Sequence, residues 1–509
     1  MLKLLLPCKN ESNEEFGWIG LVEVKISPNG LPSSSVHDES QNLSWTAHHL
    51  SKDRDRSGKL VTINSLLPVI DHVVHDVNFQ LHVMNLNRNY TKFLNPGQVA
   101  VSCSDQPLYA MKKKIQWAFP NHFAKSAEAY CSDIFAFFAP LHIEQIALVC
   151  HGELVKGTGL DDIMSSAGLK TVGLKTAMCD FNDIKKARYT VQVMSPVLYT
   201  LLQEAYKESS EEICFDEWAR TKEDPTFKYW YGILGHEKDI LLLVRSIREA
   251  NFTLFIASLE NICPLLFSLD HVHYSRWLPV FVHDIKMLKI TDPELFKQFT
   301  SGFFAVMKSN SQFCKKAFDQ CHEQNNKIIK SKSGYVDLLN KEDTDFLEKL
   351  ELSFPEIQEY LHAKENGQST KQRAHKEAAS SYIAKYINDC KSVYSKFTVS
   401  PFLDSQLQKI NTTLIFPDAI VNDVEKVFTL GKTQYSEYVR TRFVLGSEDV
   451  IKTAIPKNNL KLPSDAANVQ KESPQIKLSP AILVKLRNAC GNRVSLAKEL
   501  FKTEFTGGR

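Results

Sequence analysis

Asp105 ends an apolar run in "VSCSDQPLYAMKKKIQW" (101–117), and that position lets it do chemistry. An acid between a buried strand and a helix lies at the carboxyl edge of a sheet, where α/β proteins bind ligands. With water and phosphate oxygens as co-ligands, such a carboxylate can hold Mg²⁺ or Mn²⁺. The plain alternative is a cap: a short acid before a helix with Pro107 in its first turn accepts orphan backbone N–H groups. Taken alone, Asp105 favours the cap. "LHIE" (141–144) puts His142 and Glu144 in the corresponding place after the next strand, where the helix dipole also favours an acid. "FDQCHEQNNKIIK" (318–330) sets Asp319, Glu323 and Lys327 on one helical face with Asn326 beside them. Glu323 and Lys327 could form an ordinary surface ion pair, but two adjacent asparagines are poor helix formers and ask for a further reason.

Three basic groups could touch phosphates: Lys112, Lys113 and Lys114; Lys185, Lys186 and Arg188; and Lys327, Lys330 and Lys332. Each could equally be a solvated helix face. "LDHVHYSRW" (269–277) holds a His-x-His, but no pair of ligands has structural-zinc spacing, so zinc is not expected. No P-loop, Rossmann glycine pattern, G-x-S-x-G or H-E-x-x-H occurs, so no nucleotide cofactor is expected either.

The elements that must position these residues follow from apolar periodicity. "VAVSC" (99–103) and "DIFAFFAP" (133–140) are compact apolar runs of the kind buried parallel strands show. "QPLYAMKKKIQWAF" and "LHIEQIALVCHGELVKG" follow them with helical spacing. Residues 95–157 therefore read strand, helix, strand, helix, which implies a parallel sheet with crossover helices. From about 175 to 330 aromatics and leucines recur at three and four, the pattern of core-facing helices. The 509 residues are 43% hydrophobic and 24% charged, ordinary proportions for several globular domains. A net charge of +2 supplies no global basic field, so a nucleic-acid partner would be held by local patches. The eleven cysteines contain no CxxC pair and read as reduced thiols of an intracellular protein. No apolar run approaches the roughly twenty residues of a membrane span, and none resembles a signal peptide.

Together, "NPGQVAVSCSDQPLYAMKKKIQW", "LHIEQIALVCHGELVKGTGL", "NFTLFIASLENICPLLFSLDHVHYSRWLPVFVHDIKML" and "FDQCHEQNNKIIKS" resemble a family of animal proteins abundant in invertebrate genomes in the manner of mobile elements. The likeness runs from about residue 43 onward. More distantly, the layout is similar to RNase H-like DNA transposases, which use three carboxylates and two metal ions to cut and join phosphodiester bonds. That resemblance implies an α/β core, RNase H-like with a short mixed or parallel sheet, a large helical insertion, and a predominantly α chain overall. It implies Asp105 and Glu323 as catalytic metal ligands, Glu144 as a further candidate, and His142, Asp319, Asn326 and Lys327 in support. The expected division is an N-terminal segment (1–94) forming an incomplete part of the core, a βαβα core (95–174) and a helical insertion (175–314). A returning core helix with a charged linker (315–394) and a mixed C-terminal region (395–509) complete it. The first acid of the pattern is missing, since Asp38 lies in a loop and Glu23 in "LVEVKI" has no helper motif. The chain is therefore expected to be an inactive or truncated DNA-processing protein with DNA as partner, nuclear if so derived, and with homo-oligomerisation left open. The competing reading is a non-catalytic helical interaction or DNA-binding scaffold.

Overall fold

Two apolar runs become strands, and nearly every other described segment becomes helix. The computed structural model describes residues 44–51, 72–124, 132–169, 183–211, 213–307, 313–331, 375–403 and 405–466, with the backbone alone at Ser51 and over 325–331. By its contacts the chain divides into units 1–464 and 465–509, and the first is the subject here.

Helices α1 (Trp45–Ser51) and α2 (Val77–Leu94) lead to the sheet. Strands β1 (Ala100–Ser104) and β2 (Ile134–Phe138) pair in parallel, with Ala100 opposite Ile134 and Ser104 opposite Phe138. Helix α3 (Gln106–Ala118) makes the crossover, and α4 (Pro140–Val155) follows β2. A helical block comes next: α5 (Leu160–Ser166), α6 (Ile184–Ser209), α7 (Phe215–Thr221), α8 (Pro225–Arg248), α9 (Phe252–Ser268), α10 (Val272–Thr291) and α11 (Pro293–Gln298). Helix α12 (Phe318–Ser331) returns to the sheet, packing on α4 and β1, and α13 (Ser380–Tyr394), α14 (Asp418–Val439) and α15 (Asp449–Lys452) follow.

Local chemistry starts these helices where it should. Asp183, Asp224, Asn251 and Asp292 each accept a backbone N–H of the first turn of α6, α8, α9 and α11. The block then closes on the sheet through aromatic rings. Phe137 of β2 meets Phe281 of α10 at 5.0 Å and Phe299 at 5.5 Å between ring centroids, and Phe138 stacks on Tyr109 of α3 at 4.8 Å. Each such buried ring contributes about 1.5–3 kcal/mol of transfer free energy, so β2 is held as firmly by helices as by its partner strand. Where α9 meets α14 the backbones nearly touch: a Cβ on Gly431 would lie 2.1 Å from the Pro264 carbonyl oxygen.

Helices α4 and α8 share a buried polar seam. His151 Nε2 lies 2.9 Å from Glu237 Oε1, and His236 Nε2–H donates to the Ala147 carbonyl at 2.8 Å. Burial pushes the Glu237 carboxyl well up, His151 down to about 4 and His236 down to about 3, so burial works against charge on every group of the seam. The expectation of an α/β core thus holds in a coarser form, a two-stranded parallel sheet inside a predominantly helical chain. No described helix is long and apolar enough to cross a membrane.

Candidate functional site

The carboxyl ends of β1 and β2 face the start of α12, and the polar residues singled out above meet there. Asp105 takes extended backbone geometry before α3 and accepts the Leu108 N–H at 3.3 Å. It is the cap of that helix, and its carboxylate also acts on its surroundings. His142, Tyr274, Cys103 and Lys112 all lie within the electrostatic reach of Asp105.

Asp319 plays a larger part than its sequence position announced. Helix α4 begins at Ala139–Pro140, which offers no side chain to cap it. Asp319, 178 residues along the chain from Leu141, supplies the acceptors instead: Oδ1 takes the Leu141 N–H and Oδ2 the His142 N–H, both at 3.2 Å. Its Oδ2 also lies 3.0 Å from His142 Nδ1. That hydrogen bond raises the His142 pKa against the effect of burial, and the charges of Asp319, Asp105 and Glu323 raise it further. One imidazole therefore senses all three acids, with Asp319 nearest and Glu323 on the exposed side of α12. Burial, with Asp105 and Asp319, pushes the Tyr274 phenol up to about 12.

Several expectations are corrected by position. Glu144 is buried and turns to Arg188 of α6, which holds it bidentately at 2.6 and 2.7 Å. A carboxylate so paired ties α4 to α6, and Arg188 is committed to it rather than to a phosphate. Lys112 is also buried and donates to Ser102 Oγ at 2.9 Å, and burial brings its ammonium down to about 8 despite Cys103 and Asp105. Its helix packs that face on β1, so a surface contact is closed to it. Lys113 pairs with Asp284 of α10 at 2.8 Å. Lys114 and Lys185 are exposed and Lys186 is half-buried, so these three remain on the surface. Asn326, Lys327 and Lys330 belong to the stretch of α12 whose side chains lie outside the described residues, and Lys332 lies outside them altogether.

Among the described residues no group of three or more His, Cys, Asp or Glu side chains could hold a metal ion. Both oxygens of Asp319 are already engaged by N–H donors. The cluster clasps α12 onto the start of α4, and the missing local cap of α4 left orphan N–H groups for a distant side chain or water to satisfy.

The matched stretch of a family model runs over residues 169–445, more than half the chain, and is described as a domain of unknown function, DUF8702. The chain belongs to that family. The match takes in the helical block from α6 onward and α12, so Arg188, Asp319 and Glu323 fall within it, while β1, Asp105, His142 and α5 precede it. No curated protein and no solved structure matches the chain.

Proposed function

We propose that this protein is a transposase-derived, RNase H-like DNA-processing protein that has kept the layout of a phosphodiester-cutting site without its cutting power, and that acts by binding DNA. The observation that supports the reading is the convergence at one sheet edge. An acid ends β1, a histidine begins the helix after β2, and a helix arriving after a large helical block brings Asp319 and Glu323 beside them. The engagement of both Asp319 oxygens as a cap supports the loss of cleavage. Such a role would be nuclear, with exposed Lys114 and Lys185 and half-buried Lys186 as the phosphate contacts.

The test has two arms on the full chain. Incubation of a plasmid with Mg²⁺ or Mn²⁺ is expected to give no nicking above a protein-free control, and metal-dependent nicking lost in Asp105→Asn would overturn the non-cutting half. Binding to a random duplex is expected to weaken by about 10–40-fold between 50 and 200 mM salt, the loss for two or three neutralised phosphates. Absence of binding at low salt, or binding indifferent to salt, would overturn the DNA half.

A further inference from the structure

A cavity of about 650 Å³ opens between α4, α6, the end of α8, the segment leading into α12, and α13. We propose that it is a binding site for a nucleoside phosphate, either a free nucleotide or the phosphorylated end of a nucleic-acid strand. The proposal shares Lys185 and Lys186 with the DNA contacts suggested above, and it goes beyond that role by resting on the walls of this cavity and on binding of a free nucleotide.

The walls divide by chemistry. Leu169, Val244 and Ile247 give an apolar floor. Tyr189 and Tyr382 stand edge to face at 6.0 Å between centroids, and burial, first among several causes, raises both phenols far above their ordinary range. They are therefore neutral rings: the Tyr189 hydroxyl is spent on Asp389 at 2.6 Å with Lys385 over its ring, while Tyr382 offers its ring to a planar base. The buried side chain of Gln192 adds an amide donor and acceptor to the same wall.

The charged walls are unbalanced toward cations. Three pairs are internally settled: Arg188 with Glu144, Arg248 with Glu377, and Lys385 with Asp389. Burial alone would raise the Glu377 carboxyl, but Arg248, Thr46 and His375 hold it at about 2, so that pair is fixed in place. Lys315 and Lys316 also line the cavity. Leaving those two aside, Lys185 and Lys186 remain at the start of α6. Lys185 has no carboxylate partner among the described residues, and Lys186 approaches Asp183 only to 4.0 Å.

Two available ammonium groups, neighbours in sequence, suit a phosphate. The apolar and aromatic floor suits the body attached to it, and the volume lies in the range of sites for organic ligands of nucleotide size. A bare inorganic anion would leave the floor empty. Recognition here would come from side chains alone, which is why no glycine-rich loop betrays it. Leu141 and Gln320, the neighbours of His142 and Asp319, line the same cavity, so an occupant would also bear on the clasp between α4 and α12.

The test is calorimetric titration of the full chain with ATP, AMP, inorganic phosphate and a 5′-phosphorylated single-stranded dodecamer. Micromolar binding of a nucleotide or the dodecamer is expected, with inorganic phosphate at least about tenfold weaker. Lys185→Ser with Lys186→Ser should weaken that binding by at least about tenfold at an unchanged melting temperature, and Lys185→Ser alone by a smaller factor. If the dodecamer displaces ATP the natural source is a strand end, and if ATP binds while the dodecamer does not, it is a free nucleotide. No heat with any of these at millimolar concentration would overturn the proposal. So would equal affinity for phosphate and nucleotide, or affinity untouched in the lysine variants.

Discussion

Removing the Asp319 carboxylate should loosen the start of α4 in a way that depends on pH. Asp319→Ala takes the acceptors from two backbone N–H groups, a capping loss of about 1 kcal/mol. It also removes the partner of His142, and a hydrogen bond to a charged group contributes about 1.5–3 kcal/mol. The His142 side chain is 30% exposed, so solvent screening puts the value at the lower end. The folded pKa of His142 is raised above its unfolded value near 6.5, so its contribution is complete below that pH and lost as pH rises through the raised value. The total is about 2–3 kcal/mol at pH 6 and about 1 kcal/mol at pH 9. Amide hydrogen exchange at Leu141 and His142 reads this directly. Protection factors should fall by about 30- to 150-fold at pH 6 and about fivefold at pH 9, since 1.36 kcal/mol is a decade. Asp319→Asn, which can still cap, should lose mainly the pH-dependent part. Equal losses at both pH values, or none at either, would refute the account of Asp319 as the distant cap of α4 with His142 as its cation.

Arg188→Met alone should cost about 3–5 kcal/mol in urea melts by stranding Glu144, whereas Glu144→Leu with Arg188→Met should recover most of it; a double variant as weak as the single would count against a paired bridge. Lys112 loses its proton in the folded state at about 8, well before an unfolded lysine does, so stability should climb between pH 8 and 10. Lys112→Met should lack that climb, and an identical pH profile in the variant would assign it to other groups. Gly431→Ala should cost about 3 kcal/mol by driving α14 off the Pro264 carbonyl, whereas Gly235→Ala, with open space at its Cβ position, should gain up to about 1 kcal/mol; a tolerated alanine at 431 would show that α9 and α14 are less tightly apposed.

The strands and helices flanking the site were legible because their signals are local. The compact apolar runs at 99–103 and 133–140 became β1 and β2, parallel neighbours whose ends shift by one or two residues. Pro107 announced the start of α3, whereas Pro140, read as the end of the second strand, opens α4. Side-chain allegiance was not legible, because it depends on which helix arrives from far along the chain. Glu144 looked like a site acid until α6 brought Arg188 to it. The Lys112–Lys114 run looked like one basic patch, yet helical rotation sends Lys112 onto β1, Lys113 toward Asp284 and only Lys114 to solvent. Asp319 was placed on the right helix with the wrong weight, since a cap supplied across 178 residues leaves no spacing to read.

The distant cap also orders events on the ribosome. Helix α4 emerges with its first N–H groups unsatisfied, and their acceptor is not yet synthesised. At about 5–20 residues per second, the 178 residues separating Leu141 from Asp319 take roughly 10–35 s to make. For that interval the two strands and α4 wait with an open end, while the whole helical block is translated and can fold beside them. Codon usage or a translational pause within that block would lengthen the exposure of a nascent sheet edge. A stalled chain ending before Asp319 should therefore be a better chaperone substrate than one ending just after α12.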